Sequence, residues 1–370
     1  MTDVAVLFKP FESEKLSLKN RIVMAPMTRE KSPGFVPNDD VVAYYRRRAE
    51  NNVGLIITEG TTVNHPSASG YNGVPVFYGD ALAGWKKVVD AVHAVGGKIA
   101  PQLWHVGTVR KGGVGPHPEA PGIGPSGLLF PGKKRGETMT QADIDAVIKA
   151  FADAAADAKK IGFDAVEIHG AHGYLIDQFF WEGLNERTDK YGGSLEKRSQ
   201  FAIEILQAVR AQVGPDYPII FRFSQWKQQN YMVKLAQNPA ELERFLIPLA
   251  DAGVDIFHAS TRRFWEPEFE GSTLNLAGWT KKITGKPTIS VGSVGIETDF
   301  IESNFINQET AKAFSIRGID DLIERMEANE FDLIAVGRAL LQDPFWVSKI
   351  KEGRADEIQP YSKASLETLY

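Results

Sequence analysis

The sequence predicts an α/β fold, a closed (β/α)8 TIM barrel, and three observations predict it. Eight short apolar runs alternate with longer stretches of helical periodicity. Most of these runs are continuously apolar, the pattern of a parallel strand buried on both faces. The longest connections follow the third and fourth runs, on the side where barrel enzymes keep their chemistry.

The strands are expected at residues 21–26, 55–58, 98–103, 165–169, 219–223, 255–258, 288–291 and 333–336. Ahead of the first, Leu16-Ser17-Leu18 alternates and suits a small N-terminal hairpin capping the barrel floor. Asp80 can cap a helix that runs to Gly96, and Thr140 with Asp143 forms a capping-box pattern for a helix ending near Gly162. Ser194 can open a helix closed by Gly214, and Asn238-Pro239 a helix closed by Gly253. The two long connections span residues 106–139 and 172–193. No linker or low-complexity stretch divides the chain, so residues 1–370 read as one domain.

The chain has 370 residues, 43% of them hydrophobic, enough for one large core. A net charge of -5, with basic and acidic residues interleaved as in Arg46 to Glu50, gives no counterion-release advantage on nucleic acid or an anionic membrane. With no cysteine, thiolate catalysis, disulfides and iron–sulfur chemistry are excluded. The N-terminus lacks the basic-then-apolar pattern of a signal peptide and no run reaches membrane-span length, so a soluble, cytoplasmic protein is expected. No motif sets the oligomeric state, so monomer and homo-oligomer stay open.

Strand 4 ends in His169-Gly170-Ala171-His172-Gly173-Tyr174. Imidazole N–H groups can stabilise charge developing on a carbonyl oxygen, and a phenol can protonate a strongly basic carbon. A histidine at a strand end can also be structural, but two with a tyrosine in six residues point to catalysis. His-x-x-His lacks the glutamate and third ligand of a zinc motif, so no metal is expected. Strands 7 and 8 end in Gly292-Ser293 and Gly337-Arg338, suited to phosphate through close backbone approach and a bidentate arginine. Arg222, inside an apolar strand, needs an anion; either a bound cofactor or a neighbouring acid such as Glu59 or Glu167 would serve. Gln102 can bond the edge of a planar heterocycle, and Trp104 can wall a pocket or simply pack. Ala25-Pro26-Met27-Thr28 ends strand 1, where a hydroxyl can reach a cofactor carbonyl.

Together these segments closely resemble the Old Yellow Enzyme family of FMN-dependent ene-reductases, over almost the whole chain. The most specific stretch is His169-Gly-Ala-His-Gly-Tyr-Leu-Ile-Asp-Gln-Phe-Phe, continued by residues 185–198. The resemblance implies FMN as cofactor and NADPH or NADH as electron donor. It implies that Ala25, Pro26, Met27, Thr28, Gly60, Gln102 and Arg222 contact the flavin, and that Gly292, Ser293, Gly337 and Arg338 hold its phosphate. It implies that His169 and His172 bind the substrate oxygen, that Tyr71 and Trp104 wall the pocket, and that Tyr174 supplies the proton. The implied mechanism is ping-pong: hydride passes from NAD(P)H to flavin N5, then to the β-carbon of an enone, enal, maleimide or nitroalkene. Another flavin-barrel reaction, dienoyl reduction or amine dehydrogenation, and a non-catalytic flavin-binding protein are the alternatives.

The chain departs from the family at three points. After the strand 5 arginine it reads Ser224-Gln225-Trp226, then Lys-Gln-Gln-Asn-Tyr231. The strand 6 exit carries Arg262 and Arg263, open to a coenzyme phosphate or to solvent. His172 stands where some members have asparagine.

Overall fold

The computed structural model describes residues 3–296 and 316–370. Eight parallel strands close into a barrel. They are β1 (Ile22–Met24), β2 (Leu55–Thr62), β3 (Ile99–Trp104), β4 (Val166–His169), β5 (Ile219–Ser224), β6 (Ile256–Ser260), β7 (Thr288–Val291) and β8 (Leu333–Val336). Pairing of Val336 with Met24 joins β8 to β1 and completes the circle. The predicted fold class holds, with the strands in the predicted order.

Strand ends differ where polar residues intervene. The apolar run ends at Ile57, yet β2 continues to Thr62 with every residue buried. Its register against β3 shifts between Ile57 and Gly60, which re-aims the strand end. β1 is shorter than expected because Pro26 has no N–H to give the ladder.

The crossover helices are α1 (Asp39–Glu50), α2 (Ala81–His93), α3 (Gln141–Ile161), α4 (Gln200–Val213), α5 (Pro239–Asp251), α6 (Leu276–Thr284) and α7 (Ile316–Glu327). The Thr140–Asp143 capping box forms in both directions, and Gly162 ends α3 in the left-handed region at φ 100°. Thr140→Ala should therefore cost about 1 kcal/mol, read as a lower denaturant midpoint. Asn238 accepts from the Glu241 amide, with Pro239 in the first turn of α5. Ser194 caps only a short helix, Leu195–Arg198, and α4 starts afresh after Ser199. Asp80 occupies the cap position of α2 without a side-chain bond, because its backbone is already helical.

Phe11–Glu12 and Ser17–Leu18 form the floor hairpin. Phe11, Leu16 and Leu18 pack into one cluster with Val23, Leu55, Ala100, Ala165, Ile220, Ile256, Ile289 and Leu333. This cluster fills the lower barrel. Two residues further along, the pleat returns inward, and on β3 to β6 the side chains there are polar and buried, Gln102, Glu167, Arg222 and His258, while the other four strands place Ala25, Ile57, Val291 and Ala335. The apolar floor and the polar layer above it set where chemistry can occur.

Candidate active site

Trp104 ends β3 and is 2% exposed. It lies 16° from parallel to His169 at 6.1 Å, meets Tyr174 edge-on at 4.8 Å, and packs on Tyr71 at 5.5 Å. His172 stands edge-on to His169 at 5.2 Å. The two imidazoles, the phenol and the two predicted wall residues thus form one aromatic cluster at the barrel mouth.

The turn after β4 makes this possible. His172 adopts φ 64°, a left-handed conformation that few side chains tolerate. Its amide donates to Ser224 Oγ at 2.9 Å, and Asp177 Oδ2 accepts from the Gly173 amide at 2.6 Å. Gly60 is required by close approach: a Cβ there would lie 2.6 Å from the Trp104 ring.

Burial, then the nearby Arg222 charge, hold both imidazoles well below the usual histidine range, so both are neutral at pH 7. His169 Nδ1 accepts from the Ala171 amide at 3.3 Å, which leaves Nε2 as the N–H donor. Burial, then Tyr71, push the Tyr174 phenol far above its ordinary value, so it keeps its proton.

Beneath this cluster the polar layer is ordered by Glu167. Its carboxylate accepts from Gln102 Nε2 at 2.8 Å and meets His258 Nδ1 at 2.6 Å. Gln102 must therefore turn its carbonyl the other way, toward the Gly60 side. With Glu167 engaged there, Arg222 makes no ion pair with it or with Glu59 among the described residues. Among the described residues Arg222 Nε is buried without a partner, and Nη2 reaches Ser260 Oγ at 3.4 Å. A buried guanidinium with no carboxylate hydrogen bond among the described residues, though the Glu167 charge lies close enough to favour it, has room for a further anionic partner.

Glu59 has a different task. It accepts from the Arg29 and Glu30 amides at 2.8 and 3.1 Å, which fixes the chain just beyond Thr28. Burial pushes its carboxyl up to about 7, against those two bonds. Between about pH 4.5 and 7 the folded chain holds a proton that the unfolded chain has released, so stability falls as pH rises. Glu59→Gln should flatten that fall, worth about 3 kcal/mol, seen by comparing chemical denaturation at pH 5 and pH 8. An equal fall in the variant would assign it to other groups.

At the far side, Ala25 donates to the Val336 carbonyl at 2.9 Å. A Cβ on Gly337 would lie 3.5 Å from Met27 Sδ and 3.8 Å from Ala25 Cβ. The 25–27 segment and the β8 exit are therefore neighbours. Gly292 runs so close to Thr261 that a Cβ would stand 2.7 Å from its carbonyl oxygen. Ser293 takes φ 53°, and its hydroxyl donates to the Arg262 carbonyl at 2.9 Å. Gly337 immediately precedes the short helix Arg338–Gln342, and Arg338 lies over the Tyr361 ring at 5.7 Å. Thr28 is exposed and lines, with Arg29, Ser32, Asn72 and Leu366, a separate cavity of about 680 Å³ at the β1 exit. The structure thus gathers the imidazoles, Tyr174, Tyr71 and Trp104 at one place. The glycine segments form a second cluster, and Thr28 opens to one side.

These residues fit FMN on the structure's own terms: a buried guanidinium with an unmatched Nε, an amide with a fixed carbonyl, and two glycine segments that allow close approach to backbone. Sequence reading missed Ser260, His258 and the positioning part of Glu167, while the loop after β5, which it flagged as a departure from the family, does reach the cluster. In that loop Trp226 stacks on His172 at 4.4 Å and on Tyr231 at 5.2 Å. Arg263 pairs with Glu266 at 2.9 Å, and Arg262 lies over Tyr231 at 5.9 Å. A glutamate inside a continuously apolar strand was the available signal for Glu167.

Comparison with known proteins agrees with this geometry. The model of the NADH:flavin oxidoreductase / NADH oxidase family matches residues 6–311. A protein named NADH oxidase from Thermoanaerobacter brockii is 36% identical over 372 residues, covering 97% of this chain and 52% of its own length. 12-Oxophytodienoate reductase 2 from Arabidopsis thaliana is 38% identical over 253 residues, covering 65% of this chain and 66% of that protein. The chain thus spans about half the length of the first relative and about two thirds of the second. A structure of morphinone reductase with tetrahydroNAD superposes with a TM-score of 0.80 at 29% identity, covering 97% of this chain and 93% of that one. Old Yellow Enzyme from Pichia sp. AKU4542 gives 0.78 at 29% identity, covering 97% and 89%. With that match and the predicted motifs in their barrel positions, the chain belongs to the NADH:flavin oxidoreductase / NADH oxidase family, the Old Yellow Enzyme family its sequence resembles.

Proposed function

We propose that this chain is an NAD(P)H-dependent FMN oxidoreductase that reduces activated C=C bonds. The observation that carries the proposal is the meeting of two neutral imidazoles and a protonated phenol above a buried guanidinium that makes no carboxylate pair among the described residues. Relatives named as reductases of 12-oxophytodienoate and of morphinone support a carbonyl-bearing acceptor.

Residues 25–28, Gly60, Gln102, Arg222 and the Gly292–Ser293 and Gly337–Arg338 backbones would hold FMN, which when bound would supply hydride transfer from the nicotinamide to the alkene. His169 donates from Nε2 to the substrate oxygen and His172 gives the second hydrogen bond. Being neutral, they polarise the substrate without handing it a proton. Tyr174 holds the proton for the α-carbon at its phenol oxygen. Trp104 and Tyr71 enclose the substrate and exclude water. Arg222 supplies fixed positive charge under the site, where negative charge grows on reduction.

The test is anaerobic absorbance of the FMN-loaded protein, first with NADPH or NADH, then with 2-cyclohexenone or N-ethylmaleimide. Bleaching by the nucleotide and recovery on adding the alkene is the expected result. Bleaching that no alkene reverses overturns the alkene assignment and moves the reading to another flavin reaction. A protein that takes up no FMN overturns the whole reading.

A further inference from the structure

Ser260 ends β6 and is 3% exposed. Its Oγ lies 2.8 Å from His172 Nε2 and 3.4 Å from Arg222 Nη2. A serine hydroxyl has one proton and two lone pairs, while a guanidinium has only protons. Toward Arg222, then, Ser260 accepts. Its own proton needs an acceptor, and among the described residues His172 Nε2 is the one in reach. If Nε2 carried the hydrogen instead, the buried hydroxyl would accept twice and its proton would go unmatched, which is costly.

We propose that Ser260 is a positioning residue that locks His172 in the Nδ1–H tautomer. The imidazole then offers the substrate oxygen a donor N–H and no repelling lone pair. His169 reaches the same end by another route, with Nδ1 accepting from the Ala171 amide and Nε2 keeping the hydrogen. The two histidines therefore donate from different ring nitrogens, and each has its tautomer set by a partner on the opposite nitrogen. Stacking on Trp226 at 4.4 Å fixes the ring plane, and the Ser260 bond fixes rotation within it. The same hydroxyl ties the His172 ring to Arg222, so the substrate anchor and the buried cation share one hydrogen-bond chain.

The substrate half of this inference rests on the alkene-reductase reading, and the tautomer half does not. The test is long-range proton–nitrogen correlation NMR on the FMN-loaded protein with nitrogen-15 histidine, with His172 assigned by its loss in His172→Asn. The wild type should show the Nδ1–H pattern. Ser260→Ala should mix the tautomers or move to Nε2–H, and should raise the enone KM about tenfold, the worth of one buried hydrogen bond, with kcat changed less. Ser260→Thr keeps the hydroxyl and should restore both. An Nε2–H wild type, or a Ser260→Ala protein with unchanged tautomer, overturns the proposal. A holoenzyme that reduces no alkene defeats the reading of function and leaves the nitrogen pattern to decide the role of Ser260.

Discussion

Tyr174→Phe should slow alkene reduction by about 10²–10⁴-fold, the usual worth of a positioned general acid, while flavin content and bleaching by the nicotinamide stay near wild type. The separation is expected because, in the proposed reaction, the phenol contributes a proton to one half-reaction only. Phenylalanine keeps the ring that meets Trp104 edge-on at 4.8 Å and His169 at 5.2 Å, so the pocket wall survives. What disappears is the hydroxyl and its hydrogen bond with Tyr71. The pH profile is a second check. Burial and Tyr71 raise the phenol above its ordinary value, so its protonated form persists to higher pH than a free tyrosine's. Alkene reduction in the wild type should therefore show no loss from Tyr174 ionisation up to pH 9. Stopped-flow reoxidation of reduced enzyme by 2-cyclohexenone reads both. An unchanged rate in Tyr174→Phe would move the proton source to water or another side chain.

The barrel was legible because parallel strands buried on both faces must be continuously apolar, and these runs are. The limit of that signal is visible at β2. Thr58-Glu59-Gly60-Thr61-Thr62 is polar in sequence yet wholly buried, because the bulge at Ile57–Gly60 and bonds such as Thr61 Oγ1 to the Pro75 carbonyl at 2.9 Å satisfy it. His169, His172 and Tyr174 were legible because they are close in sequence at a strand end. Ser260 was not, because its partner His172 lies 88 residues away. Serine at a strand end is ordinary, and only the closed barrel brings β6 beside β4's exit through β5. Arg222 shows the intermediate case. Sequence demanded an anion for it, and among the described residues neither glutamate makes an ion pair with it: Glu167 bonds Gln102 and His258 and lends Arg222 only its charge, and Glu59 bonds two backbone amides.

The departure after β5 carries the second large expectation. Residues 225–231 are mostly polar in sequence, yet Lys227 and Asp177 are both completely buried and paired with each other. The pair zips this loop to the turn that holds His172: the Gln228 amide donates to the His172 carbonyl at 3.3 Å, and Gln229 Nε2 donates to the Gly173 carbonyl at 2.8 Å. Lys227→Met should destabilise the protein by about 3–5 kcal/mol, because it strands a buried carboxylate. The cost should depend on pH. Burial already raises the Asp177 carboxyl, and without the ammonium it rises further. A carboxyl whose folded value exceeds its unfolded one destabilises progressively as pH rises between the two. The Lys227→Met deficit should thus be larger at pH 8 than at pH 5. Adding Asp177→Asn keeps an oxygen for the Gly173 amide but removes the charge, and should recover most of the loss. Denaturant titrations of wild type, single and double variants at both pH values measure this. The loop's grip on the active site should show in the same proteins. Lys227→Met loosens Trp226 from His172 and raises KM for the alkene more than it lowers flavin content. A double variant as unstable as the single, or a pH-independent deficit, would mean that shape holds the loop after β5 and the buried charges do not.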